Sequence, residues 1–195
     1  MSSTDIYSRV AVWGGASNAP ARLRAAAVEL YARDGFAETT VGAIAASAGV
    51  TERTFFRHFA DKREVLFGGS DELADVLRSA VLDVGNLPVR EAALAGLAAV
   101  VAQLQPRRDE LVIREAIVRG HAELRERELA KLAAWTVALE SALRQRGADD
   151  LDAATGAAVA IAALNVAAAR WLDGDGSLPL DAHLASVLER ARLLA

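Results

Sequence analysis

The 195-residue sequence contains no cysteine, which excludes disulfide bonds, thiol catalysis and zinc sites with cysteine ligands. Aromatic residues make up only 5% of the chain, whereas hydrophobic residues reach 53% and many of these are alanine. Alanine favours helices and close contact between helices. No segment has the alternating polar and apolar pattern of a β-strand. Together these features predict an all-α globular protein.

The chain also lacks an overall basic excess, because its formal net charge at pH 7 is -4. The charges are unevenly distributed along the sequence. Residues 1–63 hold 8 Lys or Arg against 6 Asp or Glu, whereas residues 64–195 hold 14 against 20. The basic excess in the N-terminal third suits a surface that faces nucleic acid, although chance asymmetry is the alternative.

No convincing export signal or membrane span is found in the sequence. The apolar stretch at residues 10–16 is interrupted by glycines. Residues 153–169 have only Thr155 and Asn165 as polar residues, but a span needs about 20 predominantly apolar residues. We interpret this run as a buried helix at a protein interface, and we expect a cytoplasmic protein without a membrane partner.

Helical patterns separated by glycine and proline predict about nine helices after an irregular arm at residues 1–17. The first helix begins at Asn18, which is a good N-cap with Pro20 in the first turn, and it ends at Gly35. A capping box from Asp61 to Glu64 predicts that the fourth helix starts there. This helix should continue to about residue 83, with a kink at residues 68–69. Later helices are predicted at residues 88–105, 106–120, 122–147, 151–172 and 181–194.

Residues 41–59 have the pattern of a helix-turn-helix. Thr40 or Thr39 caps one short helix, Gly49 allows a sharp turn after it, and Thr51 caps the next helix. The pattern places a small residue where the helices approach and apolar residues on the buried side, namely Ala45, Ile44, Val50, Phe55 and Phe59. These residue types at these spacings suit a DNA-binding motif, and an ordinary helix hairpin with a glycine turn is the alternative.

The flanking residues extend the pattern. The segments LRAAAVELYARDGF from Leu23, TTV from Thr39 and FRHFADKREVL from Phe56 resemble the TetR family of one-component regulators. The resemblance covers roughly residues 20–67. It implies a three-helix DNA-binding domain at residues 18–62. It also implies a helical effector-binding and dimerisation domain at residues 63–195, with the last two long helices forming a homodimer.

The resemblance assigns the helix after Gly49 to the major groove of double-stranded operator DNA. Glu52, Arg53 and Arg57 would face base edges, where arginine pairs with guanine and glutamate accepts from cytosine. The predicted phosphate contacts are Thr40, Thr51, Thr54, His58 and Lys62. Family members commonly have a tyrosine at the position of Phe56. Because Phe56 has no hydroxyl, we expect its ring to form a wedge against sugar or core.

Candidate effector-binding residues are those whose polarity is unusual for their apolar surroundings, with tryptophans as walls. They are Arg114, His121, Trp135, Thr155, Asn165 and Trp171. Each has a structural alternative, such as an ion pair, a hydrogen bond across a dimer or core packing. The alanine- and leucine-rich interior suggests an apolar or aromatic small molecule.

The expected function is therefore a ligand-responsive transcriptional repressor that an effector releases from its operator. The alternative is an interaction protein with the same fold and weakened or lost DNA binding, which the Phe56 departure and the acidic Glu52 favour. An enzyme is not expected, because no phosphate-binding loop or nucleophile elbow is present. The histidines at positions 58, 121 and 183 lack metal-ligand spacing, so neither a metal nor a cofactor is predicted.

Overall fold

The computed structural model describes residues 18–192 of the chain. The predicted arm at residues 1–17 and Leu194 of the last predicted helix lie outside the described residues. Within residues 18–192 the fold is all-α, as the composition predicts. Its nine α-helices are α1 (Ala19–Asp34), α2 (Val41–Ser47), α3 (Glu52–His58), α4 (Ser70–Asp83), α5 (Val89–Leu104), α6 (Arg108–Gly120), α7 (Ala122–Gln145), α8 (Asp150–Asp173) and α9 (Leu180–Arg192).

The first helices begin at the caps that the sequence predicts. Asn18 accepts a hydrogen bond from the backbone N–H of Ala21 at 3.1 Å, and Gly35 ends α1 with a φ of 88°. Thr40 caps α2 through the N–H of Ala43. Thr39 instead donates its hydroxyl to the carbonyl of Gly35, so the choice between the two threonines is settled by geometry.

The predicted start of the fourth helix at residues 61–64 is wrong. Asp61 does act as a cap, because it accepts hydrogen bonds from the N–H groups of Arg63 and Glu64. The segment that it caps is only the 3-10 turn Glu64–Leu66, and α4 starts later, at Ser70. Gly69 has a φ of 93°, a left-handed conformation that interrupts the helix rather than kinking it.

The described residues fold into two compact units. The first unit contains residues up to 68 and the segment Ile113–Arg125, and the second contains Gly69–Val112 and the residues from Glu126 onwards. The core of the first unit is formed around Leu23, Ile44, Phe55, Val65 and Leu124, which are fully buried.

The core of the second unit is formed by α4, α5, α7, α8 and α9. Gly96 allows α5 to approach α4 closely, because a Cβ at this position would lie 2.7 Å from Val81 Cγ2 and 3.1 Å from the carbonyl oxygen of Leu77. Within the described part of the chain, α8 alone is long and apolar enough to cross a membrane by length and composition. Eight of its side chains are buried within the second unit, so α8 has the burial pattern of a core helix.

Candidate nucleic-acid interface

Helices α2 and α3 form a compact helix-turn-helix within the first unit. Each has only seven residues, so tertiary packing rather than intrinsic helix stability holds it in place. Ile44, Ala45 and Phe55 are buried on the inner side. Gly49 turns the chain with a φ of 66°, and the N–H of Val50 closes the turn on the carbonyl of Ala45 at 2.9 Å. This packing fixes the direction in which the outer side of α3 points.

The outer side of α3 is polar and basic, with one exception. Arg53, Arg57 and His58 are exposed, and Arg57 Nη2 lies 3.5 Å from His58 Nε2. Phe56 is the exception, because its ring is 55% exposed and meets the buried Phe55 edge-on at 5.4 Å. The ring therefore does not pack in the core, which removes one of the two expected roles for Phe56 and leaves an apolar contact outside the protein.

The threonines at the helix starts use their oxygens as acceptors. Thr51 caps α3 by accepting from the N–H of Thr54 at 3.2 Å, and the two hydroxyl oxygens lie 3.1 Å apart. Thr40 caps α2 in the same way. A hydroxyl has one donor as well as two acceptor lone pairs. Thr40 thus keeps an O–H group that is able to bond a phosphate oxygen beside the start of α2. Of Thr51 and Thr54, one hydroxyl donates to the other, and the second keeps its O–H for such a bond.

Glu52 folds back toward the start of α2. A Cβ on Gly42 would lie 2.6 Å from Glu52 Oε1 and 3.9 Å from Thr40 Oγ1. A side chain at position 42 would make this exposed, flexible carboxylate shift. The side chain predicted to read bases thus lies over the neighbouring helix in this structure, and it would have to rotate to reach a base edge.

Lys62 differs most from its predicted role as a phosphate contact. Its ammonium donates to the backbone carbonyls of Phe36, Ala37 and Thr39 at 2.8, 3.0 and 3.0 Å. These bonds use all three N–H donors of the lysine. The same ammonium lies 4.6 Å from the centroid of the Phe36 ring, and no α-helix begins at Lys62. We therefore correct the assignment, because this side chain holds the loop between α1 and α2.

Tyr31 and Asp61 complete this arrangement. The buried Tyr31 donates its hydroxyl to the carbonyl of Lys62 at 2.5 Å, and burial together with the charge of Asp61 raises the pKa of Tyr31. Burial opposes ionisation of Asp61, but hydrogen bonds from the Arg63 side chain and from the backbone outweigh it and lower the pKa of Asp61. The sequence pattern indicates that Asp61 is a cap. No local pattern indicates the hydrogen bond from Tyr31 to Lys62, because the two residues are 31 positions apart.

Two arginines hold the segment that follows the 3-10 turn. Arg114 Nε donates to the carbonyl of Leu66 at 2.8 Å, and its guanidinium lies 4.8 Å from the Phe67 ring centroid. Arg24 Nη1 donates to the carbonyl of Gly68 at 3.2 Å. Arg114 thus lies in the first unit, whereas sequence reasoning placed it in an effector pocket. No local sequence pattern indicates the bond from Arg24 to Gly68, which is 44 residues away.

The six predicted effector-binding residues are divided between the two units, and Arg114 is in the first. His121 also belongs to the first unit, where its Nδ1 lies 2.9 Å from the carbonyl of Ile117 and its ring packs against Phe36. In the second unit, Trp135 and Trp171 are buried in the core, and Trp135 donates to the carbonyl of Ser70. Thr155 and Asn165 of α8 are exposed, and Thr155 lines an open groove. Within residues 18–192, no cluster of His, Asp and Glu has the arrangement of a metal site.

Comparison with known sequences supports the helix-turn-helix. Residues 23–67 match the bacterial regulatory proteins of the tetR family. A protein of Mycobacterium tuberculosis, named as the mycofactocin biosynthesis transcriptional regulator MftR, is 38% identical over 52 residues. That alignment covers 27% of this chain and 26% of the relative, so the chain matches about a quarter of the length of this curated relative.

Two solved structures resemble most of the chain. The fatty acid degradation regulator FadR of Bacillus halodurans is 20% identical, with a TM-score of 0.60, and the match covers 88% of this chain and 93% of that one. FadR of Bacillus subtilis, solved in complex with stearoyl-CoA, is 21% identical, with a TM-score of 0.61 and coverage of 86% and 95%. At these identities the likeness establishes the fold.

Proposed function

We propose that this chain belongs to the TetR family and is a transcriptional repressor that a small molecule releases from operator DNA. The observation that carries the proposal is the exposed outer side of α3. It presents Arg53, Arg57 and His58 from a helix whose inner side is fixed by buried Phe55. This side belongs to the segment that matches the family. We place the DNA-binding domain at residues 18–62 and the effector-binding and dimerisation domain at residues 63–195, in a cytoplasmic protein.

The proposed contacts divide into base readout and phosphate binding. Arg53 and Arg57 read base edges in the major groove, because exposed guanidinium groups form two-pronged bonds with guanine. Thr40, Thr51, Thr54 and His58 bind phosphates and set the position of α3 on the duplex. The Glu52 carboxylate has to rotate away from Gly42 before it reaches a base edge. Its contribution to base readout should therefore be smaller than that of Arg53.

We propose that α8, together with α9, forms the homodimer. Leu151, Val159 and Val166 of α8 are 76%, 48% and 44% exposed. Exposed apolar side chains along one side of a core helix favour burial against another subunit. A dimer would place two α3 helices in successive major grooves, about 34–36 Å apart. An effector that favours a different distance between the two α3 helices would release the DNA.

The effector is proposed to be a small molecule with a large apolar part. The stearoyl-CoA complex of the Bacillus subtilis relative supports this choice, as does the apolar lining of the open groove beside α8. We do not propose a catalytic role, since the relatives described above are regulators.

DNA binding is tested by fluorescence anisotropy with the DNA upstream of the protein's own gene at several salt concentrations. We expect sequence-preferring binding that weakens as salt rises. Arg53→Ala should relax base preference, whereas His58→Ala should weaken binding to all sequences about equally. Arg127→Ala, at an exposed position on α7 of the second unit, is the matched control. Binding without salt dependence, or identical behaviour of the two α3 variants, would contradict the assigned roles.

The dimer is tested by sedimentation of Val166→Glu. This change puts a charge on the exposed side of α8 and should shift the protein toward monomer. Val137→Glu is the control, because Val137 is 64% exposed on α7. Dissociation by the control alone would place the interface on α7 instead.

A further inference from the structure

The second unit has an open groove between α5, α8 and α9, the groove cited above for the effector, and it shares Val159 with the proposed dimer surface. Its volume is about 690 Å³, which lies within the range of small-molecule sites. Its walls are mainly apolar and include Ala93, Leu94, Leu97, Val159, Ala160 and Leu188. Polar side chains line it as well, from Arg90, Asp152 and Thr155. An apolar site with a few polar groups is the usual form of a ligand site.

Arg90 is the polar group that selects among ligands. Its side chain is exposed, and it has no hydrogen-bond or ion-pair partner among residues 18–192. An unpaired guanidinium beside an apolar surface attracts the anionic group of a molecule whose remainder is apolar. Asp152 lines the same groove and repels a second negative charge. The pair therefore favours a single negative charge over a doubly charged group.

The groove continues past its apolar centre. A second groove, between α5 and α9, shares Leu94 and Leu188 with the first and extends to Ala98 and Val101. A chain that follows α5 from Arg90 to Val101 would run for about 17 Å, at about 1.5 Å per residue of helix. The two grooves thus provide an extended apolar path that starts at a positive charge.

We propose that these grooves bind an amphipathic monocarboxylate, with its carboxylate on Arg90 and its hydrocarbon chain along α5 past Leu94 and Leu188. This inference rests on the proposed function in one respect, because it makes such a molecule the effector. Each further methylene that enters the groove removes apolar surface from water and tightens binding. The carboxylate adds an exposed ion pair, which is worth up to about fivefold in affinity.

The experiment is isothermal titration calorimetry of the full chain with octanoate, decanoate and dodecanoate below their micelle concentrations. Affinity should rise with chain length. Decanol, decyl phosphate and decyltrimethylammonium test the charge preference, and each should bind more weakly than decanoate. Weaker binding by decanoate than by the cationic or phosphate probe would overturn the proposal, and so would the absence of any binding.

Variants locate the site. Arg90→Gln should weaken decanoate binding about fivefold and leave decanol binding unchanged. Arg127→Gln, at an exposed position on α7 outside the grooves, should change neither. Leu94→Trp should weaken all probes by filling the groove. Equal decanoate affinity for Arg90→Gln and the unchanged protein overturns the proposal even if Leu94→Trp fails to fold.

Operator binding in the presence of decanoate separates this inference from the proposed function. Release of DNA by decanoate supports both, provided that Arg90→Gln requires about fivefold more decanoate for the same release. Binding of decanoate without release supports the site and contradicts its effector role. If the protein binds DNA in a salt-sensitive way but does not bind decanoate, the proposed repressor function stands and the proposed ligand site is overturned. If the unchanged protein does not bind decanoate and Leu94→Trp changes the oligomeric state, the groove is occupied by a second copy of the chain. That result would overturn the proposed ligand site.

Discussion

Replacing Lys62 with methionine tests whether this side chain holds the loop between α1 and α2. Methionine keeps an unbranched apolar stem beside Phe36 but removes the ammonium that bonds the carbonyls of Phe36, Ala37 and Thr39. Hydrogen bonds from charged groups contribute about 1.5–3 kcal/mol each at most, and the bond to Ala37 is exposed. We expect a loss of about 2 kcal/mol in the local free energy of unfolding.

Hydrogen exchange of a peptide from residues 37–47 is the measurement. Trp135 and Trp171 lie in the second unit, so their fluorescence does not report on this loop. A loss of about 2 kcal/mol corresponds to about 30-fold faster exchange of amides that open locally. The thermal midpoint of a chain of this size should fall by about 4–8 °C if the first unit unfolds with the remainder.

Arg22→Met provides the matched control for Lys62→Met. Arg22 is exposed on α1 of the same unit, so this change removes one positive charge without removing bonds to the loop. Its exchange should match that of the unchanged protein. If Lys62→Met exchanges at the unchanged rate yet loses DNA affinity at all sequences, the loop-holding role is refuted and direct phosphate contact is favoured.

Three further predictions follow from single contacts. Phe56→Tyr should tighten binding to all DNA sequences, because the added hydroxyl on this exposed ring is able to reach a phosphate, and unchanged anisotropy would contradict this. Folding lowers the pKa of Asp61. The ionised carboxylate therefore stabilises the folded state above the unfolded-state pKa of about 3.9, and this stabilisation is lost as the pH falls through the lower pKa of the folded state. The stability deficit of Asp61→Asn, from denaturant unfolding, should therefore shrink from pH 6 to pH 3, and a constant deficit would exclude this charge effect. Gly96→Ala should destabilise the second unit by about 1–3 kcal/mol, because the new Cβ meets Val81 and the backbone of α4. Tryptophan fluorescence during denaturation checks this result, and unchanged stability would show that α4 and α5 separate freely.

Much of the site is readable from sequence because its signals are local. Asn18, Thr40 and Thr51 cap helices whose N–H groups lie within three residues, so short-range hydrogen bonds determine these ends. Gly35 and Gly49 take left-handed conformations that few other residues adopt. The alternation of buried Phe55 with exposed Arg53 and Arg57 follows from helical periodicity.

Only the tertiary structure assigned the long-range partners. Lys62 and Arg114 look like free cations in the sequence, yet they bond carbonyls 23–26 and 48 residues away. The position of Glu52 depends on the absence of a side chain at Gly42. The sequence determined the helices and the helix-turn-helix, since caps, turns and periodicity act over a few residues. The fold decided which charges remain available for DNA or a ligand, because the carbonyls that engage a cation come from distant parts of the chain.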